Sequence, residues 1–261
     1  MGHIRLGTLP KTRRWREVVE LLDDSPGLTG ALVAAITDAA DSRLRRLASD
    51  ESLNYAFWLL TRVAFSARSG NFPAQLERLG IEGDANRSTL ALIGALTDKV
   101  RQRTIRNIDS GDFGELASLA LRRALLETVA ERGPSLFGTT LEDVQGALRT
   151  YSTPVRFGVV AHRFFADFFA RTLRSLLDRQ ISAQTGESKN IRNIAEGQQF
   201  TAALDLYTRQ AARITQEFAE GWYSKHNWES RGEISQEDVR GFVGYAVEKL
   251  RLELKEGKTP A

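Results

Sequence analysis

The stretch VRFGVVAHRFFADFFARTLRSLLDRQ, Val155 to Gln180, decides how the rest of the chain is read. Placed on a wheel at 100° per residue, Arg156, Arg163, Asp167, Arg171, Arg174 and Asp178 fall in one narrow sector, and nearly everything else is apolar or small. A helix with so little polar circumference must be surrounded by other helices. Its five phenylalanines are therefore expected in a core rather than around a cofactor. Arg163, Asp167 and Arg171 follow one another at spacing four, so they can pair along the polar strip.

Working outward, apolar residues recur at three and four rather than at two, and only six prolines interrupt 261 residues. The pattern predicts an all-α fold of about nine or ten helices. His3 to Leu6 alternates briefly and is the one candidate strand. An amphipathic helix is expected over Pro10 to Leu22, with Trp15, Val18, Val19 and Leu22 on one face. Others are expected over about Leu28 to Ala48, Glu51 to Ala67, Ala74 to Leu79, Arg87 to Ile105 and Asp109 to Glu131. Thr140 with Asp143 has capping-box spacing, and Pro154 suits the first turn of the quoted helix.

Two long helices are expected at the C-terminal end. Phe200, Leu204, Tyr207, Ala211, Ile214, Phe218 and Gly221 repeat at four and three, which predicts one helix of about thirty residues, roughly 45 Å long, with a coiled-coil-like seam. Ser235 can cap the last, with Val239, Phe242, Val243, Ala246 and Leu250 facing inward. The polar segments 80–86 and 181–190 read as a subdomain joint and a mobile crossover within a single domain spanning 1–261.

Composition narrows function. The chain is 42% apolar and 26% charged, enough to bury a large core. With no cysteine it has no disulfide, thiolate metal site or cysteine nucleophile, and needs no oxidising compartment. The net charge is only +3, although arginines number 29 against 7 lysines. Absence of a long apolar run and of a secretory leader predicts a cytoplasmic, bacterial protein without a transmembrane segment. His3, His162 and His226 stand apart, with no Glu-x-x-His pair, P-loop, G-x-G-x-x-G or G-x-S-x-G, so neither a metal nor a cofactor is expected.

His162 points away from the arginine sector toward the aromatic face, where a histidine is expected to be a hydrogen-bonded structural residue. A ring lining a wet cleft beside a guanidinium would overturn that expectation. Arg156 and His162 also form Arg-x5-His, which resembles the Arg-x4-6-His signature of HEPN-domain ribonucleases, all-helical proteins of bacterial toxin and antiviral defence systems. The resemblance implies metal-independent RNA cleavage, with His162 as general base or acid and Arg156 stabilising the phosphorane. In an unbroken helix the two side chains would point about 120° apart.

Three further clusters could contact a partner. Arg13, Arg14 and Arg16 precede every acidic residue and flank Trp15, a pattern that suits phosphates or an anionic surface, although Glu17, Glu20, Asp23 and Asp24 follow at once and blunt the field. Lys99, Arg103 and Arg106 are spaced four and three, as a phosphate-binding stripe would be; the same cations also complement a helix C-terminus. GWYSKHNWES, Gly221 to Ser230, gathers Trp222, Tyr223 and Trp228, residue types that dominate protein interfaces. Taken together, the sequence predicts a non-catalytic interaction or scaffold subunit of an intracellular multi-protein assembly. Its expected contacts are Trp222, Tyr223, Trp228, Arg13, Arg14 and Arg16. The ribonuclease is the alternative, and a nucleic-acid binder using Lys99, Arg103 and Arg106 the second alternative.

Overall fold

The computed structural model describes residues 29–82, 88–106, 113–131, 140–184, 194–229 and 234–256. Among these residues there are helices and no strand, as the hydrophobic periodicity requires. In chain order they are α1 (Thr29–Ala39), α2 (Asp41–Arg46), a 3-10 turn (Leu47–Ser49), α3 (Glu51–Ser66), α4 (Phe72–Arg78), α5 (Thr89–Arg106) and α6 (Phe113–Ala130). They continue as α7 (Leu141–Thr150), α8 (Pro154–Gln184), α9 (Ile194–Ala211), α10 (Arg213–Glu229) and α11 (Gln236–Glu256). The candidate strand at His3 to Leu6 and the first amphipathic helix lie outside the described residues.

The quoted stretch forms α8, which at 31 residues, about 46 Å, is the longest helix described. Phe157, Phe164, Phe165, Phe168 and Phe169 are fully buried in it, and α10, α9 and α6 pack along its length. Helix α8 continues through Gln184, so the first four residues of the expected crossover are helical. The remainder of that crossover, and residues 83–86 of the expected joint, lie outside the described residues. Helix α4 ends at Arg78, and the chain turns away at Gly80, the first residue of the joint, whose φ of +68° is the left-handed conformation that glycine adopts most easily.

Capping chemistry sets the helix starts. The Asp50 carboxylate accepts from Leu53 N at 2.8 Å and Asn71 from Ala74 N at 3.1 Å. Thr140 and Asp143 form the expected capping box, and Ser235 with Asp238 forms a second at the head of α11.

Two expected helices are each divided. The one predicted over Leu28 to Ala48 breaks at Ala40, whose carbonyl accepts from both Arg43 N and Leu44 N, and this turn carries Asp41 inward to Arg251. The thirty-residue seam is likewise carried by two helices meeting at Ala212. There the N–H and hydroxyl of Thr215 both bond the Ala212 carbonyl, at 3.0 and 2.7 Å, tightening the turn to an i, i+3 contact. Periodicity cannot show such breaks, because the apolar phase resumes on the far side. The final long helix, α11, has 21 residues and the expected inward face of Val239, Phe242, Val243, Ala246 and Leu250.

Helices α8 and α10 approach so closely at Gly158 that a Cβ there would lie 2.8 Å from the Gln216 carbonyl oxygen and 2.7 Å from Glu220 Cγ. A backbone oxygen cannot rotate aside. Gly158→Ala is expected to destabilise by about 1–3 kcal/mol through overpacking, read as a lower urea midpoint. Gly221→Ala, in the middle of α10 but facing open space, should instead stabilise by up to about 1 kcal/mol.

Candidate functional site

Helices α6, α8 and α9 enclose a cleft of about 570 Å³. Val159, His162, Arg163 and Ala166 reach it from α8 because they recur at three and four. Glu127, Ala130 and Glu131 line it from α6, and Arg209 from α9. The small residues leave the space and the charged ones rim it. Glu127 accepts from Arg123 Nε at 2.8 Å, and the Arg163 and Arg209 guanidiniums lie 3.9 and 3.8 Å from its carboxylate. Glu131 takes both the Tyr151 hydroxyl and Arg163, whose guanidinium also lies over the Tyr151 ring at 5.5 Å. Asp167 does pair with Arg171 along the helix, at 2.5 Å, but its other oxygen is held by Arg123 of α6 at 3.0 Å, while Arg163 turns to Glu131.

His162 lines this cleft half-buried, with Nε2 2.8 Å from the carbonyl oxygen of Arg209. A carbonyl only accepts, so Nε2 carries the proton and Nδ1 keeps its lone pair. The break at Ala212 explains the bond, because the Arg209 carbonyl sits in the last turn of α9 where helical acceptors lose their partners. His162 is a hydrogen-bonded side chain that ties the end of α9 to α8, but its ring also lines the open cleft beside the Arg163 and Arg209 guanidiniums, which corrects the expectation of a purely structural, core-facing histidine. Burial pushes its pKa down, with the Arg209, Arg213 and Arg163 charges acting in the same direction, and the ring is neutral near pH 7. Arg156 is exposed and does not line the cleft, so the Arg-x5-His pair is not brought together there.

The basic stripe on α5 is largely engaged. The Lys99 ammonium lies against Gly80, 2.8 Å from where a Cβ would stand. Arg103 lies over the Tyr55 ring at 5.1 Å and 4.0 Å from Glu51, and Arg101 grips Glu115 through two bonds of 2.8 and 2.7 Å. Arg106 is exposed at the helix end. Arg103 thus joins α5 to α3, Arg101 joins it to α6 and Lys99 to the turn after α4. Arg13, Arg14 and Arg16 lie outside the described residues.

The aromatic cluster divides between core and surface. Tyr223 is buried, 0% exposed and stacked on Phe157 at 4.1 Å, which corrects its expected place on a contact surface. Burial raises its pKa, and its hydroxyl has no hydrogen-bond partner among the described residues. The reason is phase: Tyr223 falls on the same face of α10 as the fully buried Ala219. The side chain of Trp228 lies outside the described residues. Trp222, one position earlier than Tyr223, lines an open groove of about 380 Å³ between α10 and α11.

That groove is built from Phe218, Trp222 and His226 on one wall and Glu237, Asp238, Gly241, Phe242 and Tyr245 on the other. Trp222 packs on Phe242 at 4.8 Å and on His226 at 4.9 Å, and Phe218 meets Tyr245 edge-on at 4.8 Å. His226 donates from Nδ1 to the Trp222 carbonyl at 2.9 Å while its Nε2 lies 3.7 Å from Asp238. Tyr245 is 46% exposed, with the Lys249 ammonium over its ring at 5.4 Å. Tyr245 and Gly241 were not anticipated. Their signal was nonetheless present, since an aromatic residue sits outside the inward face that Phe242, Val243 and Ala246 define.

Among the described residues no group of three or more His, Asp or Glu side chains could hold a metal ion, and no helix is long and apolar enough to cross a membrane. The chain matches no known family, no curated protein and no solved structure.

Proposed function

We propose that this chain is a non-catalytic interaction subunit of an intracellular multi-protein assembly, and that it takes a helical segment of a protein partner into the α10–α11 groove. The observation that carries the reading is the groove itself, with aromatic walls open to solvent and bare backbone at Gly241, where an added Cβ would meet nothing within 4 Å. Amphipathic helices bind such grooves through apolar side chains spaced three and four apart, and Trp and Tyr supply much of the energy at such contacts. Both charged residues of the lining, Glu237 and Asp238, are acidic, which favours a partner helix with a basic polar face. The lack of cysteine suits a reducing compartment.

Tyr245→Ala should weaken binding of the purified partner about tenfold or more, and Gly241→Arg should abolish it, neither variant lowering the unfolding midpoint. The measurement is calorimetric titration of the partner recovered from the native host. Full affinity in Gly241→Arg would remove the groove from the interface.

A second reading, phosphodiester cleavage at the α6–α8–α9 cleft, is favoured by one observation: a neutral imidazole with an unspent Nδ1 lies within the field of Arg163, Arg209 and Arg213. It ranks second because the nearby carboxylates are committed to ion pairs and Arg156 is absent from the cleft. His162→Gln keeps a donor for the Arg209 carbonyl, so on this reading it loses metal-independent RNA cleavage while remaining folded. Wild-type protein that cleaves no RNA removes the reading.

A further inference from the structure

We infer that the cleft between α6, α8 and α9 is a site for a small hydroxylated phosphate monoester, a sugar phosphate or nucleoside monophosphate, whose phosphate is held by Arg209 and whose hydroxyl donates to His162 Nδ1. The inference does not rest on the α10–α11 groove, and it stands whether or not the chain cleaves RNA.

Charge gives the sign of the ligand. Among the described residues, the guanidiniums of Arg123, Arg163, Arg171 and Arg209 share only three carboxylates, those of Glu127, Glu131 and Asp167. One positive charge is left over. Arg213, at the head of α10, pairs with no carboxylate among the described residues, and its charge reaches the His162 ring. The excess is therefore two, which matches a phosphate monoester at about −1.5 to −2 near pH 7.

Hydrogen bonding selects the cation that is open to it. The Arg163 side chain is 13% exposed and is spent on Glu131, while Arg123 bonds Glu127 at 2.8 Å and Asp167 at 3.0 Å. Arg209 differs from both. Its side chain is 53% exposed, and it stands 3.8 Å from Glu127, beyond hydrogen-bond range. A phosphate can take its parallel N–H groups without breaking a bond already made.

The rest of the cleft calls for more than an inorganic ion. Nε2 of His162 is held by the Arg209 carbonyl at 2.8 Å, so Nδ1 is the ring atom left to accept from a ligand hydroxyl. Ala130, Val159 and Ala166 give the cleft a small apolar floor on which the carbon skeleton of an ester can rest. Its volume, about 570 Å³, lies in the range of small-molecule sites. A polynucleotide fits less well, because Glu127 and Glu131 stand among the lining residues and would meet its neighbouring phosphates.

The test is calorimetric titration of the full chain near pH 7 at low salt with ribose 5-phosphate, glycerol 3-phosphate and adenosine 5′-monophosphate. At least one should bind with a Kd below about 1 mM, whereas ribose and adenosine should not bind and inorganic phosphate should be about tenfold weaker or more. Arg209→Gln keeps the backbone carbonyl that holds His162 and should lower the affinity at least tenfold. Glu127→Gln removes the carboxylate that competes for Arg209 and should raise it several-fold. Arg240→Gln, which alters an exposed cation on α11, should leave it unchanged.

Binding of none of the three esters overturns the inference, and so does an equal loss in Arg209→Gln and Arg240→Gln, which would mark a diffuse attraction. Inorganic phosphate that binds as tightly as the esters overturns it in favour of an ion site. A short single-stranded RNA that binds more tightly than every ester, and is weakened by Arg209→Gln, overturns it in favour of a polynucleotide.

Discussion

Phe57→Ala is expected to destabilise the protein by about 3–5 kcal/mol, the range for emptying a fully enclosed aromatic site. The Phe57 ring has centroid distances of 5.1 Å to Phe165, 5.2 Å to Phe242, 5.4 Å to Phe164, 6.0 Å to Phe157 and 6.4 Å to Trp222. One side chain of α3 therefore contacts α8, α10 and α11 together. Because those helices are also held to one another, they cannot close over the vacancy, and the cavity penalty adds to the lost transfer energy. A domain of this size loses about 2–4 °C in Tm per kcal/mol, so thermal unfolding should shift down by roughly 10 °C. Ile105→Ala, at a site 80% exposed, should stay within about 0.5 kcal/mol of wild type in the same urea titration. A Phe57→Ala loss below about 1 kcal/mol would mean that the aromatic cluster is not closed.

Phe57 also shows what the sequence could and could not reveal. Its burial was legible, because five phenylalanines on a helix with one thin polar strip need other apolar helices around them. Which helix supplies the central ring was not legible, since contact between α3 and α8 joins positions about a hundred residues apart and leaves no local pattern. The same distinction holds at the surface. Trp222 was recognisable as a candidate by residue type, yet Tyr223 beside it carries the same signal and is core, and only the phase of α10 against α8 separates them. His162 was expected toward the aromatic face, yet its ring lines the charged cleft with Glu127, Arg163 and Arg209. Its partner, a backbone carbonyl released where α9 ends, exists only because the chain breaks at Ala212, and a seam that keeps its spacing across the break conceals it.

The groove and the core share a wall. Trp222 and Phe242 line the groove, and both rings lie against Phe57. A binding surface whose anchors are fixed from behind loses little side-chain freedom when a partner arrives, so more of the contact energy appears as affinity. Phe57→Ala should therefore loosen the groove as well as the core, whereas Tyr245→Ala acts on the outer wall alone. The two variants separate a surface that binds from a fold that positions it.

Removing Asp41 or Arg251 should produce the other large effect, by a different route. Arg251 is only 3% exposed, and its guanidinium meets the Asp41 carboxylate at the junction of α2 and α11. Lys255 reaches Asp41 at 2.9 Å and Arg45 reaches it at 2.8 Å. Burial by itself raises the Asp41 pKa, but hydrogen bonds from Lys255 and Arg45 and the Arg251 charge outweigh it, bringing the group from 3.8 to about 2. A carboxylate with a lowered folded-state pKa adds stability that is fully present above its unfolded pKa near 4 and is lost as pH falls through about 2. The size of that shift corresponds to roughly 2 kcal/mol. Asp41→Asn should therefore be less stable than wild type at pH 7, and the gap should narrow by about that amount between pH 4 and pH 2. Arg251→Ala removes the buried cation without replacing its volume, and is expected to cost about 3–5 kcal/mol at pH 7. Arg251→Met restores apolar volume, and Lys255 and Arg45 remain on Asp41, so it should recover much of that loss. Urea midpoints for the three variants at pH 7, 4 and 2 test the scheme. A gap between wild type and Asp41→Asn that does not change over this range would show that Asp41 is not held as a carboxylate by its three cations.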